Sequence, residues 1–131
     1  MKYKNQVCSL KLAKRLRKLG VKQDSLWYWV IYLEKWELDC FTNKEDLADV
    51  NDYVSGFTVA ELGEMLPQSW LKEIKKGVYV DFESKDIKGW CFGNSKGLYR
   101  DFAITEADAR AKLLIYCIEE KFIKIKEING K

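Results

Sequence analysis

No histidine occurs among the 131 residues, so the chemistry open to this chain is that of carboxylates, lysines, arginines, thiols and aromatic rings. Imidazole is the side chain that titrates near neutral pH without special tuning, and its absence removes the usual Ser and Cys triads and most zinc sites. Cys8, Cys40, Cys91 and Cys117 form no CxxC pair, which argues against zinc or thiol-redox chemistry and predicts reduced, mostly buried thiols. The densest acids, Glu45, Asp46, Asp49 and Asp52, carry enough charge for a hard cation. Their spacing does not match a calcium loop, and a solvated acidic loop is the simpler reading. The expectation is a chain with no metal, no cofactor and no catalytic residues, one that is not an enzyme.

What is left favours holding a ligand. Trp27, Tyr28, Trp29, Tyr32, Trp36, Trp70, Tyr79, Trp90 and Tyr99 are many for this length, and such rings combine a flat apolar face with a polar tip suited to stacking a base. Trp90 and Tyr99 flank "GNSKG", Gly93 to Gly97, whose backbone N–H groups and Lys96 are the ingredients of an anion-binding nest, although the P-loop pattern GxxxxGK[ST] is not met. Arg100 and Arg110 are the only arginines outside the first helix, and a guanidinium is a forked, permanently charged partner for phosphate. Trp90, Lys96, Tyr99, Arg100 and Arg110 are therefore the candidate ligand-binding residues, and a small anionic ligand such as a nucleotide is the candidate ligand. The competing reading makes the rings core, the arginines surface and "GNSKG" a plain hairpin turn.

Charge is unevenly distributed. Lys2, Lys4, Lys11, Lys14, Arg15, Arg17, Lys18 and Lys22 all precede the first acid, Asp24, while the other 15 basic and 20 acidic residues leave −5 for the remainder. Such asymmetry can mark a nucleic-acid or partner surface, and Lys11, Lys14, Arg15 and Lys18 are its candidate residues. Base-reading groups are confined to Gln6 and Gln23 at the margins, and no helix-turn-helix, zinc-finger, RNA-recognition or KH signature is present. Three readings stay open: a solvated face, a dock for an acidic protein partner, or nonspecific nucleic-acid binding. Like charges three and four residues apart on a helix repel by a few tenths of a kcal/mol each, so something must offset that cost. Acids such as Glu45, Asp46 and Asp49 are one candidate and a second subunit is another.

The elements that must position these residues follow from periodicity. Ser9 is a plausible N-cap for a helix with Leu12, Ala13, Leu16 and Leu19 on one stripe and Gly20 as its stop. Leu26 to Leu33 is apolar on both faces and predicts a strand covered on both sides, turning near Glu34 and Lys35 into the alternating "EKWELDCF". "TNKEDLADVNDYVSG" predicts an irregular connection with a short helical turn at Glu45 to Val50. Thr58 and Glu61 make a capping box for a middle helix closed by Pro67. "GVYVDFES", "IKGWCFG" and "LYRDFAI" predict a meander. Thr105 with Asp108 opens a final helix with Ala111, Leu114, Ile115, Ile118 and Phe122 as its stripe, followed by "KIKEINGK" as a tail or edge strand. The expected fold is α+β, a single domain over residues 1–131: an antiparallel sheet of about five strands, hairpin plus meander, with N-terminal, middle and C-terminal helices.

Three of these pieces, "SLKLAKRLRKLGVKQDSLWYWV", "GFTVAELGEMLP" and "TEADARAKLLIYCIEEKFI", about 53 of the 131 residues, resemble segments of small open reading frames of tailed phages and prophages. The resemblance implies a phage or prophage setting in the cytoplasm of a bacterial host cell and carries no catalytic assignment. In that setting, small accessory proteins often act by stoichiometric binding. Function is then expected to be sequestration of a nucleotide immune signal as an anti-defence device, with docking on a host or virion protein as the alternative and nucleic-acid binding as a third reading. No apolar run is long enough to span a bilayer and no secretory signal follows the basic N-terminus. No membrane role is expected, and the aromatic surplus suggests a homo-oligomer.

Overall fold

A computed structural model describes residues 3–40, 53–67, 71, 74–80, 86–93 and 100–130. The architecture is α+β. A short 3-10 helix (Tyr3–Gln6) precedes α1 (Leu10–Lys18), the hairpin β1 (Trp27–Tyr32) and β2 (Lys35–Asp39), and β3 (Tyr53–Gly56). Then come α2 (Val59–Met65), β4 (Lys75–Val80), β5 (Asp86–Gly93), β6 (Arg100–Ala103), α3 (Glu106–Glu119) and α4 (Ile125–Asn129).

Among the described residues the strands form, in place of the expected single sheet of about five, two antiparallel sheets of three, in the orders β2-β1-β3 and β4-β5-β6. The difference comes from β3, which lies in the stretch predicted to be irregular. It pairs with β1 along the edge opposite β2, with Trp29 facing Val54 and Tyr28 facing Ser55, so the first sheet is complete without the meander. Four residues ending in Ser55 and Gly56 give too weak an alternation to stand out. Gly56 is needed there: a Cβ would meet Leu38 Cδ1 at 3.1 Å and the Trp29 indole at 3.3 Å, so the glycine is what lets the ring lie across the strand. Trp29 Nε1 in turn donates to the Cys8 carbonyl at 3.0 Å. The predicted helical turn at Glu45 to Val50 lies outside the described residues.

The hairpin turns at Leu33 and Glu34, both in the left-handed region (φ 49° and 70°), the geometry whose twist matches that of the flanking strands. The run expected to be covered on both sides is covered over its middle only: Tyr28 and Val30 are buried on one face and Trp27, Trp29 and Ile31 are half-buried on the other, while Leu26, Tyr32 and Leu33 at its ends are exposed.

The helices meet around α3. It packs against α1, α2, β5, β6 and the 3-10 helix, and Ala107, Ala109, Ala111, Leu113, Leu114, Ile115 and Cys117 are all buried. A helix apolar over most of its circumference is a central one, which is more than the single stripe anticipated. Phe122, placed on that stripe from the sequence, is 56% exposed. α3 stops at Glu119, the chain turns through Lys121 at φ 63°, and Ile123 takes the buried place. The segment predicted as a tail or edge strand is the helix α4, because Ile125 and Ile128 fall on one face and Ile128 is buried. Asn129 pins it to the end of α1, accepting from Lys22 N at 2.8 Å and donating to the Gly20 carbonyl at 3.1 Å. Gly20 itself sits at φ 101°, where a side chain would be strained.

Candidate functional site

Two hollows flank α3. At about 100° per residue, Glu106 and Arg110 point to one side of this helix while Lys112, Ile115, Tyr116 and Glu119 point roughly to the other.

The first hollow is a groove of about 630 Å³ between α1 and α3. Lys11, Lys14, Arg15 and Lys18, the four residues singled out from the sequence, all line it, and α3 adds Lys112. Leu12, Ile115 and Tyr116 form the apolar floor, and Glu119 and Glu120 close one side. The α1 stripe dictates this arrangement: burying Ala13 and Leu16 turns the lysines outward along the seam with α3.

The like-charge cost on α1 is offset by its neighbours. Arg15 pairs with Glu119 at 3.1 Å, Arg17 donates to the Tyr53 carbonyl at 2.8 Å, and Lys14 sits 4.6 Å from the centroid of the Trp36 ring. Asp108 accepts from the Ser9 backbone N–H at 2.6 Å, placing a carboxylate at the N-terminal end of a helix that has no acid in its own first turn. Ser9 holds the N-cap position, but its side chain makes no capping bond; α3 supplies the acceptor. Glu45, Asp46 and Asp49, proposed from the sequence as partners for α1, lie outside the described residues. Burial raises the Asp108 carboxyl above the usual carboxylate range, against the opposing pull of the Ser9 hydrogen bonds and the Lys112 charge. Among the described residues Lys11, Lys14 and Lys18 have no carboxylate partner within ion-pair distance.

The second hollow is a cleft of about 880 Å³ where the starts of β1, α2 and α3 meet β5. Trp90 and Arg110, two of the five candidate ligand residues, both line it, together with Trp27, which the sequence did not single out for this role. Both terminal nitrogens of Arg110 are engaged by its own fold: Nη1 donates to the Val59 carbonyl at 2.9 Å and Nη2 pairs with Glu106 at 3.3 Å, while the buried Nε has no partner among the described residues. Gly63 makes room for it, since a Cβ there would collide with Arg110 Nη1. This guanidinium clamps α2 to α3. Of the remaining candidates, Arg100 enters as the β6 position opposite Gly93 on β5, and Lys96 and Tyr99 lie outside the described residues.

The walls of the cleft are held by capping. Thr58 accepts from Glu61 N at 3.1 Å while Glu61 accepts from Thr58 N at 2.9 Å, the predicted capping box. The second Glu61 oxygen reaches Leu26 N at 3.2 Å and so fixes the start of β1 against α2. Thr105 caps α3 by accepting from Asp108 N at 3.1 Å, as its spacing predicted.

Thiol chemistry is not at either hollow. Cys8 and Cys117 are buried free thiols that burial pushes up to about 12, so both stay protonated at neutral pH and neither is a nucleophile. Among the described residues no group of three or more Cys, Asp or Glu gathers to hold a metal ion, and no helix is long and apolar enough to cross a membrane. The acids Glu45, Asp46, Asp49 and Asp52 fall outside the described residues.

Sequence reasoning found the α1 side of the groove and missed the α3 side. Lys112, Tyr116 and Glu119 recur at helical spacing, a polar-aromatic stripe that was legible within a helix read only for its core. No protein-family model, no curated protein and no solved structure matches the chain, so its function has to be argued from these two hollows.

Proposed function

We propose that this chain is a non-catalytic binding protein that captures a small anionic ligand, of the class of a nucleotide signal, in the groove between α1 and α3. One observation carries the reading: Lys11, Lys14, Arg15, Lys18 and Lys112 converge on a hollow whose floor is Leu12, Ile115 and Tyr116. Phosphates gain from the cations and a base or other planar group gains from the floor. A volume of about 630 Å³ suits a ligand of that size, since such sites run from roughly 300 to 1,000 Å³. Joined to the phage resemblance, capture of this kind would act as anti-defence by sequestering a nucleotide immune signal in the host cytoplasm.

Calorimetry with a cyclic dinucleotide, ADP-ribose and inorganic pyrophosphate tests it. Micromolar binding is expected to weaken with added salt and to fall at least about tenfold in Lys18→Glu or Lys112→Glu. Absence of heat at millimolar ligand overturns the proposal.

A second reading uses the same groove as a dock for an acidic segment of a host or virion protein. It is favoured by the spacing of Lys11 to Lys18, which spans about 10 Å of helix and exceeds a single phosphate contact. Combined charge reversal at Lys14, Arg15 and Lys18 then abolishes partner capture without unfolding the chain. Nucleic-acid binding through these lysines predicts a low-salt gel shift that vanishes steeply as salt rises. Mass measurement in solution checks the expected homo-oligomer.

A further inference from the structure

We infer that the cleft bordered by Trp27 and Trp90 is a second, separate binding site, and that it takes an uncharged, flat ligand with a hydrogen-bonding edge, the chemistry of a free nucleobase or nucleoside. Charge argues first. Among the described residues lining the cleft the one cation is Arg110, and Glu106 pairs with it at 3.3 Å while the Val59 carbonyl takes its other Nη. Among these described residues one cation faces one carboxylate, whereas the groove brings five cations against two.

Surface chemistry argues second. Five large apolar side chains stand exposed among the described residues, and two of them, Leu26 (63%) and Ile104 (70%), form the mouth of this one cleft. Apolar groups gathered at a concavity mark a binding surface more often than scattered ones do. Trp27 and Trp90, both half-buried and from different sheets, line it, and indole is the side chain best suited to stacking on a planar guest.

The polar inventory sets the ligand's edge. Thr58 and Thr105 each use the hydroxyl oxygen to accept from a backbone N–H in their caps, which leaves each O–H proton available to donate. Asn5 and Gln6 add amides that both donate and accept. A planar heterocycle bearing donors and acceptors satisfies these groups; a purely aliphatic guest covers them without giving them partners, which disfavours it.

The test titrates tryptophan fluorescence and heat with adenosine and uridine as probes and ribose alone as the control. Saturable binding of at least one nucleoside is expected, with no response to ribose and little change on raising salt. Ile104→Glu, a change at an exposed position that circular dichroism will show to leave the fold intact, should weaken it at least about tenfold. Lys18→Glu in the groove should leave it unchanged. Failure of both nucleosides to saturate at millimolar concentration overturns the inference. So does equal affinity in Ile104→Glu, or loss of binding in Lys18→Glu, which would assign the probe to the groove. An apolar peptide that saturates the cleft where nucleosides do not would overturn the ligand class.

Discussion

The groove and the cleft share one helix and differ in what their arginines do. Arg15 faces the groove from a surface position, its side chain 42% exposed, and its partner Glu119 is equally solvated. Arg110 faces the cleft at 22% exposure, held by Glu106 and by a backbone carbonyl of α2. An exposed pair is loosely held and exchanges readily for a ligand anion, whereas a half-buried guanidinium with two fixed acceptors is part of the scaffold. The same side chain is thus solvated and exchangeable in one place and a clamp in the other, and only its surroundings decide which.

The largest effect should come from α3 itself, which supplies a wall to both hollows. Leu113→Ala removes a fully buried side chain and should cost about 3 kcal/mol in urea unfolding. Both binding activities should then fail together at temperatures where the wild type still binds. If one survives, the two sites do not share their support as described.

Gly63→Ala separates them. The added methyl pushes the flexible end of Arg110 off the Val59 carbonyl, the loss of a charge-assisted hydrogen bond worth about 2 kcal/mol that the better helix propensity of alanine, worth roughly 1 kcal/mol, only partly offsets. A net loss of about 1 kcal/mol is expected in chemical unfolding, with cleft binding weakened and groove binding unaffected.

Asp108 sharpens the comparison through pH. Its folded-state carboxyl lies above the ordinary value because burial outweighs the Ser9 and Lys112 contributions, so the folded protein holds this proton to higher pH than the unfolded chain does. The stability it contributes is therefore fully present below the unfolded carboxylate range and is lost as pH rises through the raised folded value. Asp108→Asn keeps an acceptor for Ser9 N–H and removes the charge. The variant should lose that fall in urea midpoint between acidic and neutral pH and should be at least as stable as the wild type at neutral pH. Asp108→Ala, which leaves the Ser9 N–H without its acceptor, should instead be less stable by about 1 kcal/mol.

The smallest effect belongs to the exposed pair. Glu119→Gln should change stability by no more than about 0.5 kcal/mol while strengthening anion binding in the groove, because it releases Arg15 and removes a negative charge. Unchanged affinity for pyrophosphate would show that Arg15 does not take part.

Local chemistry made several elements legible before any coordinates. Thr58 with Glu61 and Thr105 with Asp108 announce helix starts through side chains that satisfy orphan backbone N–H groups within three residues; both bonds of the Thr58 capping box are present, as is the Asp108 N–H bond to Thr105. The stripe on α1 fixed its buried side, and so placed Lys11, Lys14, Arg15 and Lys18 on the outside. β3 and α4 were illegible for the opposite reason. Tyr53–Gly56 is a strand because β1 offers it an edge and the Trp29 ring lies over Gly56, and Ile125–Asn129 is a helix because Asn129 finds partners at Gly20 and Lys22, just past α1, and Ile128 finds them in the core.

What the amino-acid order determined alone was the α+β class, the caps and hairpin, and the one-sided charge of α1, since these depend on neighbours within a few residues. The splitting of the strands into two sheets, the meeting of α1 with Lys112 and Tyr116, and the conversion of Arg110 from a ligand candidate into a clamp were decided by tertiary structure. Each of these depends on contacts between residues tens of positions apart, and no local pattern encodes which distant surface a side chain will meet.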